Sequence, residues 1–185
     1  MRNSLVIKLI LTTWVLALGT ISTVSNSSSV ATRQVIPVGM PVKTTIHVFG
    51  TGASEYGIEE PYDVKITVLK ILRGTQAWEM IQDAEVSNKP PSKGFDYILA
   101  LVGFEYDAKS MPGNKPFIIK QDDFKAYSMD NRTYQSPFVS LPAPPLIGKV
   151  LRPGDSHEGW VAFSVAQEDE EPLMFFRGGI WFKLF

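Results

Sequence analysis

The segment from Phe95 to Tyr106 constrains the fold of this chain most, because its middle is apolar at every position. A β-strand turns successive side chains to opposite faces, so a strand buried on one face alternates apolar and polar residues. A strand that is apolar at every position is buried on both faces. We therefore expect a central strand with packed layers above and below it. The apolar run is Ile98, Leu99, Ala100, Leu101 and Val102.

Several other segments show the alternation of half-buried strands. They are Val42–Phe49, Tyr62–Arg73, Asp123–Met129, Glu158–Val165 and Gly179–Leu184. In the second segment the apolar positions change phase after Val68, which predicts a β-bulge near Leu69. We expect the last two segments to pair with each other as the final hairpin.

One short helical turn is predicted after residue 73, with Thr75 as its N-cap. Its inward-facing residues are Ala77, Trp78 and Ile81. Further along, Ser136–Leu146 contains four prolines and cannot be a ladder strand throughout. We expect it to run extended over the surface in a polyproline-like conformation.

Short strands separated by turns, with one helical turn, predict an all-β protein built as an antiparallel β-sandwich. A β-barrel shows the same periodicity and stays open as an alternative. The chain has 185 residues and no cysteine, so its core must stabilise it without disulfides. A domain of about 150 residues buries enough surface for that.

The N-terminus has the pattern of a secretory signal peptide, with Arg2 and Lys8 before an apolar run, Leu9–Ile21. A membrane-spanning helix needs about 20 apolar residues, and this run is shorter. We expect residues 1–31 to be the signal peptide and cleavage region, residues 32–40 a tether, and residues 41–185 the sandwich domain. The mature chain would then start between Asn26 and Arg33. An uncleaved anchor helix is the alternative.

The candidate catalytic constellation is Asp155, Ser156 and His157, which are the three residue types of a hydrolase triad. Neighbouring residues on a strand point to opposite faces, so these three cannot converge on one site. We therefore predict that the chain is not an enzyme and carries no catalytic residues. An extracytoplasmic hydrolase is retained as an alternative.

No cofactor or metal site is predicted, because neither of the two histidines has a second ligand at metal spacing. Calcium stays an open question, since acidic residues cluster around Glu55–Asp63 and in Glu168–Glu171. Neither cluster has the spacing of a calcium loop. The net charge of −1 gives no electrostatic footprint for nucleic acid.

Three segments together resemble a family of bacterial secreted domains of unknown function, of the telokin-like or immunoprotective extracellular antigen type. They are Val68–Trp78, Pro91–Tyr106 and Pro153–Phe163, and their order and spacing carry the resemblance. It covers about residues 40 to 184 and implies an immunoglobulin-like antiparallel β-sandwich. It supplies no catalytic residues. Many members carry a lipobox cysteine after the signal peptide, which this chain lacks.

We therefore expect a secreted or cell-surface binding module whose partner is a protein or an envelope component, with no nucleic-acid partner. The alternative is a cell-envelope accessory protein that touches the membrane only through an uncleaved N-terminal helix. Recognition in a sandwich falls to loops and exposed edges. The residues predicted for a partner surface are Pro142, Pro144, Pro145, Trp160 and Trp181. The three prolines have a second interpretation, as a cover that blocks the edge of a sheet. Trp160 and Trp181 also have a second interpretation, as residues buried in the core.

Overall fold

The computed structural model describes residues 33–49, 59–109 and 113–185. The predicted signal peptide and the glycine-rich loop at residues 50–57 lie outside these ranges. The elements in chain order are β1 (Val35–Ile36), β2 (Val42–Phe49), β3 (Glu59–Arg73), α1 (Thr75–Ala84), β4 (Phe95–Ala108), β5 (Phe117–Ile118), a 3-10 turn (Gln121–Asp123), β6 (Phe124–Tyr127), β7 (Val150–Leu151), β8 (Ser156–Ala166), β9 (Leu173–Phe176) and β10 (Ile180–Lys183).

Two four-stranded sheets form the domain. The first has the strand order β2-β3-β4-β8 and is antiparallel throughout. The second has the order β1-β10-β9-β6, in which only β1 and β10 run parallel. Strands β5 and β7 pair separately. The predicted antiparallel sandwich is confirmed, and the barrel is excluded because the two sheets share no strand pairing among the described residues.

The strand order of the two sheets can be compared with that of an immunoglobulin domain. An immunoglobulin domain pairs strands A-B-E-D in one sheet and C-F-G in the other. Here β3, β4 and β8 occupy the A, B and E positions, while β6, β9 and β10 occupy C, F and G. In the described part of the chain no strand occupies the D position, which lies on the free side of β8.

The core lies between the sheets and is filled by side chains from both. Strand β4 is central, as predicted, and its residues Val102 and Phe104 are fully buried. Phe104 packs edge-on against Phe176 of the second sheet, with ring centroids 5.8 Å apart. Burying side chains of this size contributes about 2–3 kcal/mol each, which explains how the domain holds together without disulfides.

The outer face of the first sheet is covered by α1, which has 10 residues and is longer than the single turn predicted. Its N-cap residue is Gly74 rather than Thr75, and no side chain caps it. Ala77 and Ile81 are buried against β4, as predicted, while Trp78 is half-buried. No helix within the described ranges is long and apolar enough to cross a membrane.

The bulge predicted near Leu69 is confirmed by a register shift between Val68 and Lys70. The predicted final hairpin is wrong: β8 pairs with β4 in the first sheet, whereas β10 pairs with β9 in the second. The range 32–40 predicted as a tether is also corrected. Val35 and Ile36 within it form β1, and Ile36 packs in the core.

Candidate binding groove beside strand β8

The proline-rich segment, Ser136–Leu146, pairs with the free edge of β8 at Trp160. The Trp160 N–H donates to the carbonyl of Pro144 at 2.9 Å, and the Leu146 N–H donates to the carbonyl of Trp160 at 3.1 Å. Gly159 makes this contact possible. A Cβ atom there would lie 2.5 Å from the Leu146 nitrogen, closer than real Cβ atoms approach backbone atoms.

The same edge is open four residues further on. Along a strand, the backbone N–H and C=O groups of every second residue point to the same side. Those of Trp160 point away from β4, and the pairing of β8 with β4 has no register shift, so those of Ser164 also point away from β4. Ser164 has no backbone partner on that side among the described residues. The proline-rich segment thus covers only part of the edge of β8.

A groove of about 990 Å³ opens at this uncovered part of the edge. One wall is the chain from Ser128 to Phe138, which follows β6. The other is formed by the start of β4, the end of β8 and the turn after it. The volume is within the usual range of ligand sites. The lining includes Phe95, Tyr97, Met129, Asp130, Arg132, Tyr134, Phe138, Ser164, Ala166, Glu168 and Asp169.

Large apolar side chains stand exposed along the groove. Phe138 is fully exposed, at 107% of the reference area, and Met129 is 55% exposed. Phe95 on the opposite wall is 37% exposed. A single exposed apolar residue is ordinary on a protein surface, but three that line one concave site mark a surface suited to a partner.

The acidic turn, defined as Glu168–Glu171, forms one rim of the groove and is held by Arg73. The Arg73 guanidinium donates to the carbonyls of Ala166 at 2.9 Å, Gln167 at 3.1 Å and Asp169 at 2.6 Å. It also pairs with Asp96 at 3.2 Å. One side chain from β3 therefore fixes the backbone that carries these four acidic residues.

The two walls are joined at one end of the groove. The Tyr134 hydroxyl donates to the Asp169 carboxylate at 2.7 Å. Burial raises the pKa of Tyr134 to about 12, and this hydrogen bond adds to the effect. On the outer rim, hydrogen bonds from Ser128 and Arg132 lower the pKa of Asp130 from its usual value. Asp130 therefore stays negatively charged at neutral pH.

The sequence-predicted partner residues lie apart from this groove. Pro142 is buried, whereas Pro144 and Pro145 are exposed and lie against the edge of β8. This placement agrees with their interpretation as an edge cover. Trp160 is 7% exposed and packs under α1.

Trp181 lies on the outer face of the second sheet, half-buried in a cluster with Tyr127 and Phe175. The Arg33 guanidinium covers its ring at 3.7 Å. The structure does not bring Trp181 together with Trp160 or with the prolines in one site, because they belong to different sheets.

The residues of the hydrolase-like triplet make separate contacts. Asp155 accepts a hydrogen bond from the Arg152 N–H at 2.8 Å, and the His157 ring contacts the Pro145 carbonyl at 3.1 Å. Of the acidic run, Asp169 is engaged by Tyr134 and by the Glu171 N–H. Within the described ranges, no cluster of three acidic, histidine or cysteine residues could hold a metal ion.

Comparison with known proteins gives fold-level likeness only. No protein-family model matches the chain. No curated protein matches it either. Among solved structures it is similar to MPT63, a secreted protein of Mycobacterium tuberculosis, at 11% identity and a TM-score of 0.48, over 83% of this chain and 98% of that one.

A second similar structure is the candidate lipoprotein YcdA of Bacillus subtilis. It has 13% identity and a TM-score of 0.44, over 65% of this chain and 35% of that one. At these scores neither likeness bears on function. The family resemblance drawn from the three sequence segments stays a resemblance.

Sequence reasoning missed Phe138, Met129 and the groove itself. One signal was available: Phe138 is the only aromatic residue of Ser136–Leu146, a segment that the prolines bar from a ladder. An aromatic residue in an extended surface segment has no strand neighbour to cover it. The groove had no sequence signal, because its two walls are about 30 residues apart and meet only in the folded chain.

Proposed function

We propose that this protein is an extracytoplasmic binding module, secreted or held at the cell surface, that binds a partner protein in the groove beside β8. The observation that carries the proposal is the fully exposed Phe138 in a concave site of about 990 Å³. Aromatic side chains, Phe among them, are enriched where proteins meet, and a few residues there carry most of the binding energy.

Binding suits this site better than catalysis. The charged side chains in the groove are three carboxylates and one guanidinium. Asp130 pairs with Arg132, and Asp169 accepts hydrogen bonds from Tyr134 and from the Glu171 N–H. A catalytic site needs a nucleophile or base whose pKa is moved toward neutrality. The pKa of Asp130 moves away from neutrality, which supports a role in recognition.

The location rests on the N-terminal sequence, with its basic residues, short apolar run and lack of a lipobox cysteine. If the N-terminal segment is cleaved, the module is secreted. If it is retained, the same groove belongs to an accessory protein anchored in the cell envelope. N-terminal sequencing of the extracytoplasmic protein separates these forms, since retention of Met1 or Arg2 means an anchor.

Site-directed photo-crosslinking tests the binding proposal. A photoreactive phenylalanine analogue replaces Phe138 in one variant and Val86 in another, and both are expressed in the cells that make the protein. Val86 is 85% exposed, does not line the groove and follows the end of α1, so it controls for surface exposure. We expect a discrete adduct from position 138 alone. Equal labelling from both positions, or none from either, contradicts the proposal.

A further inference from the structure

We infer that the partner segment is an extended, positively charged polypeptide that pairs with the open edge of β8 as an added strand. This inference rests on the proposed function and names the chemistry of its partner. The class of recognition is β-strand addition, in which backbone hydrogen bonds give affinity and alternate side chains give specificity.

The position of the groove in the topology is the first observation. The immunoglobulin sandwich places strand D against strand E, and E corresponds here to β8. Among the described residues, the chain between β6 and β8, which would contain strand D, makes backbone-to-backbone hydrogen bonds to β8 only through Pro144 and Leu146, and only at Trp160. The remaining part of the D position is the groove that Ser164 lines.

Unpaired backbone on both walls is the second observation. The N–H and C=O groups of Ser164 face the groove side of β8 without a partner among the described residues. On the other wall, residues 135–139 run outside any strand, and their backbone makes no hydrogen bond within the described ranges. An extended polypeptide satisfies such groups along its whole length, which a compact small molecule does not.

Charge identifies the occupant further. The groove lining contains three carboxylates, Asp130, Glu168 and Asp169, and one cation, Arg132. Glu170 and Glu171 continue the acidic turn beside it. A partner strand with basic side chains on one face complements these carboxylates, while apolar side chains on its other face meet Phe138 and Met129.

Binding of labelled seven-residue peptides to the intact protein, measured by fluorescence anisotropy, tests whether a positively charged strand pairs with the edge of β8. The probes are a Lys/Val alternating peptide, its Glu/Val counterpart, and a Lys/Val peptide N-methylated at every second residue. We expect the Lys/Val peptide to bind at least about tenfold more tightly than either of the others. N-methylation removes backbone donors and leaves the charges unchanged, so it separates strand pairing from simple charge attraction.

A matched pair of variants tests the protein side. Ser164→Pro removes the outward N–H while keeping the ladder to β4, since proline is tolerated where the N–H of an edge strand faces outward. Ser164→Ala keeps that N–H and serves as the control. We expect at least about tenfold weaker Lys/Val binding by Ser164→Pro and little change by Ser164→Ala. If Ser164→Pro does not fold, the N-methylated peptide decides the same question.

The outcomes are distinct. Equal binding of Lys/Val and Glu/Val peptides, or of methylated and unmethylated ones, overturns the inference, as does a lack of peptide binding. The proposed function then still stands if position 138 gives its specific adduct. The proposed function fails if that specific adduct is absent.

Discussion

The edge of β8 is closed in its first half and open in its second, although both halves belong to one regular strand. At Trp160 the proline-rich segment makes two backbone hydrogen bonds to the strand. At Ser164, four residues on, the same segment has moved away and the groove lies between. The close approach in the closed half requires Gly159, which leaves room for the Leu146 backbone.

The two halves also differ in how they avoid unwanted pairing. An uncovered strand edge is a template for aggregation, and proteins block it with prolines, with charges or with covering segments. The closed half has Pro144 and Pro145 against it. The open half has the acidic turn beside it, whose negative charges repel a second copy of the same turn. The negative charge therefore disfavours pairing of this edge with a second copy of the protein, while a positively charged strand can still approach it.

The largest expected effect comes from breaking the closed half. Gly159→Ala places a Cβ against the backbone of Pro145 and Leu146, so the segment must move and its two hydrogen bonds weaken. We expect the free energy of unfolding to fall by about 3 kcal/mol, measured by chemical denaturation.

Gly103→Ala is the matched control for this substitution. Its Cβ would lie 3.5 Å from the flexible Leu69 side chain, which is an ordinary contact. We expect a change of less than about 1 kcal/mol. Similar losses for the two variants would show that the closed half does not depend on close backbone approach.

A second prediction concerns the wall of the open half. Arg73→Met keeps much of the side-chain volume but removes the hydrogen bonds that hold the turn at residues 166–169. We expect a loss of about 2 kcal/mol in stability, because the Arg73 side chain is partly exposed, at 26%. Affinity for the Lys/Val peptide should fall as well, since the acidic turn is no longer fixed in place.

Lys65→Met is the comparison for Arg73→Met. Lys65 pairs with Glu105 at 2.7 Å on an exposed part of the first sheet, and such pairs contribute less than about 1 kcal/mol. Peptide binding should be unchanged in this variant. Each substitution removes one positive charge, so equal strengthening of Lys/Val binding by both would mean that net charge rather than the held turn determines affinity.

The strands themselves were largely predictable, because a strand's periodicity is local. Strand β2 has the predicted bounds, Val42–Phe49, and the phase change after Val68 gives the bulge. Strand β4 is buried on both faces as its composition requires, although Leu101 is only half-buried on the outer face.

Strand partners and the groove were not predictable, because pairing depends on contacts between distant segments. Strands β8 and β10 have equivalent amphipathic patterns, and nothing in either pattern specifies its sheet. Strand β9 was missed because its residues, Leu173–Phe176, are apolar without alternation and follow an acidic run. The groove depends on where Tyr134–Phe138 lies relative to β8, and no pattern within the segment encodes that distance.

The smallest expected effect concerns the hydrogen bond that joins the two walls. Tyr134→Phe removes the hydroxyl that donates to Asp169, and we expect a loss of about 1 kcal/mol near neutral pH. The pKa of Tyr134 is raised to about 12 in the folded protein, against about 10 for an ordinary tyrosine. The raised pKa means that the folded state holds this proton more tightly than the unfolded state does.

Its stabilising contribution is therefore complete below pH about 10 and is lost as the pH rises to about 12. The difference in stability between the natural protein and Tyr134→Phe should shrink over that window. The comparison must be between the two proteins rather than within one, because burial also raises the pKa values of Tyr62 and Tyr106, which therefore change the stability of both proteins at high pH. A double-mutant cycle with Asp169→Ala, which removes the acceptor, should give a coupling energy of about 1 kcal/mol. A coupling energy near zero would contradict the role of this hydrogen bond in joining the two walls of the groove.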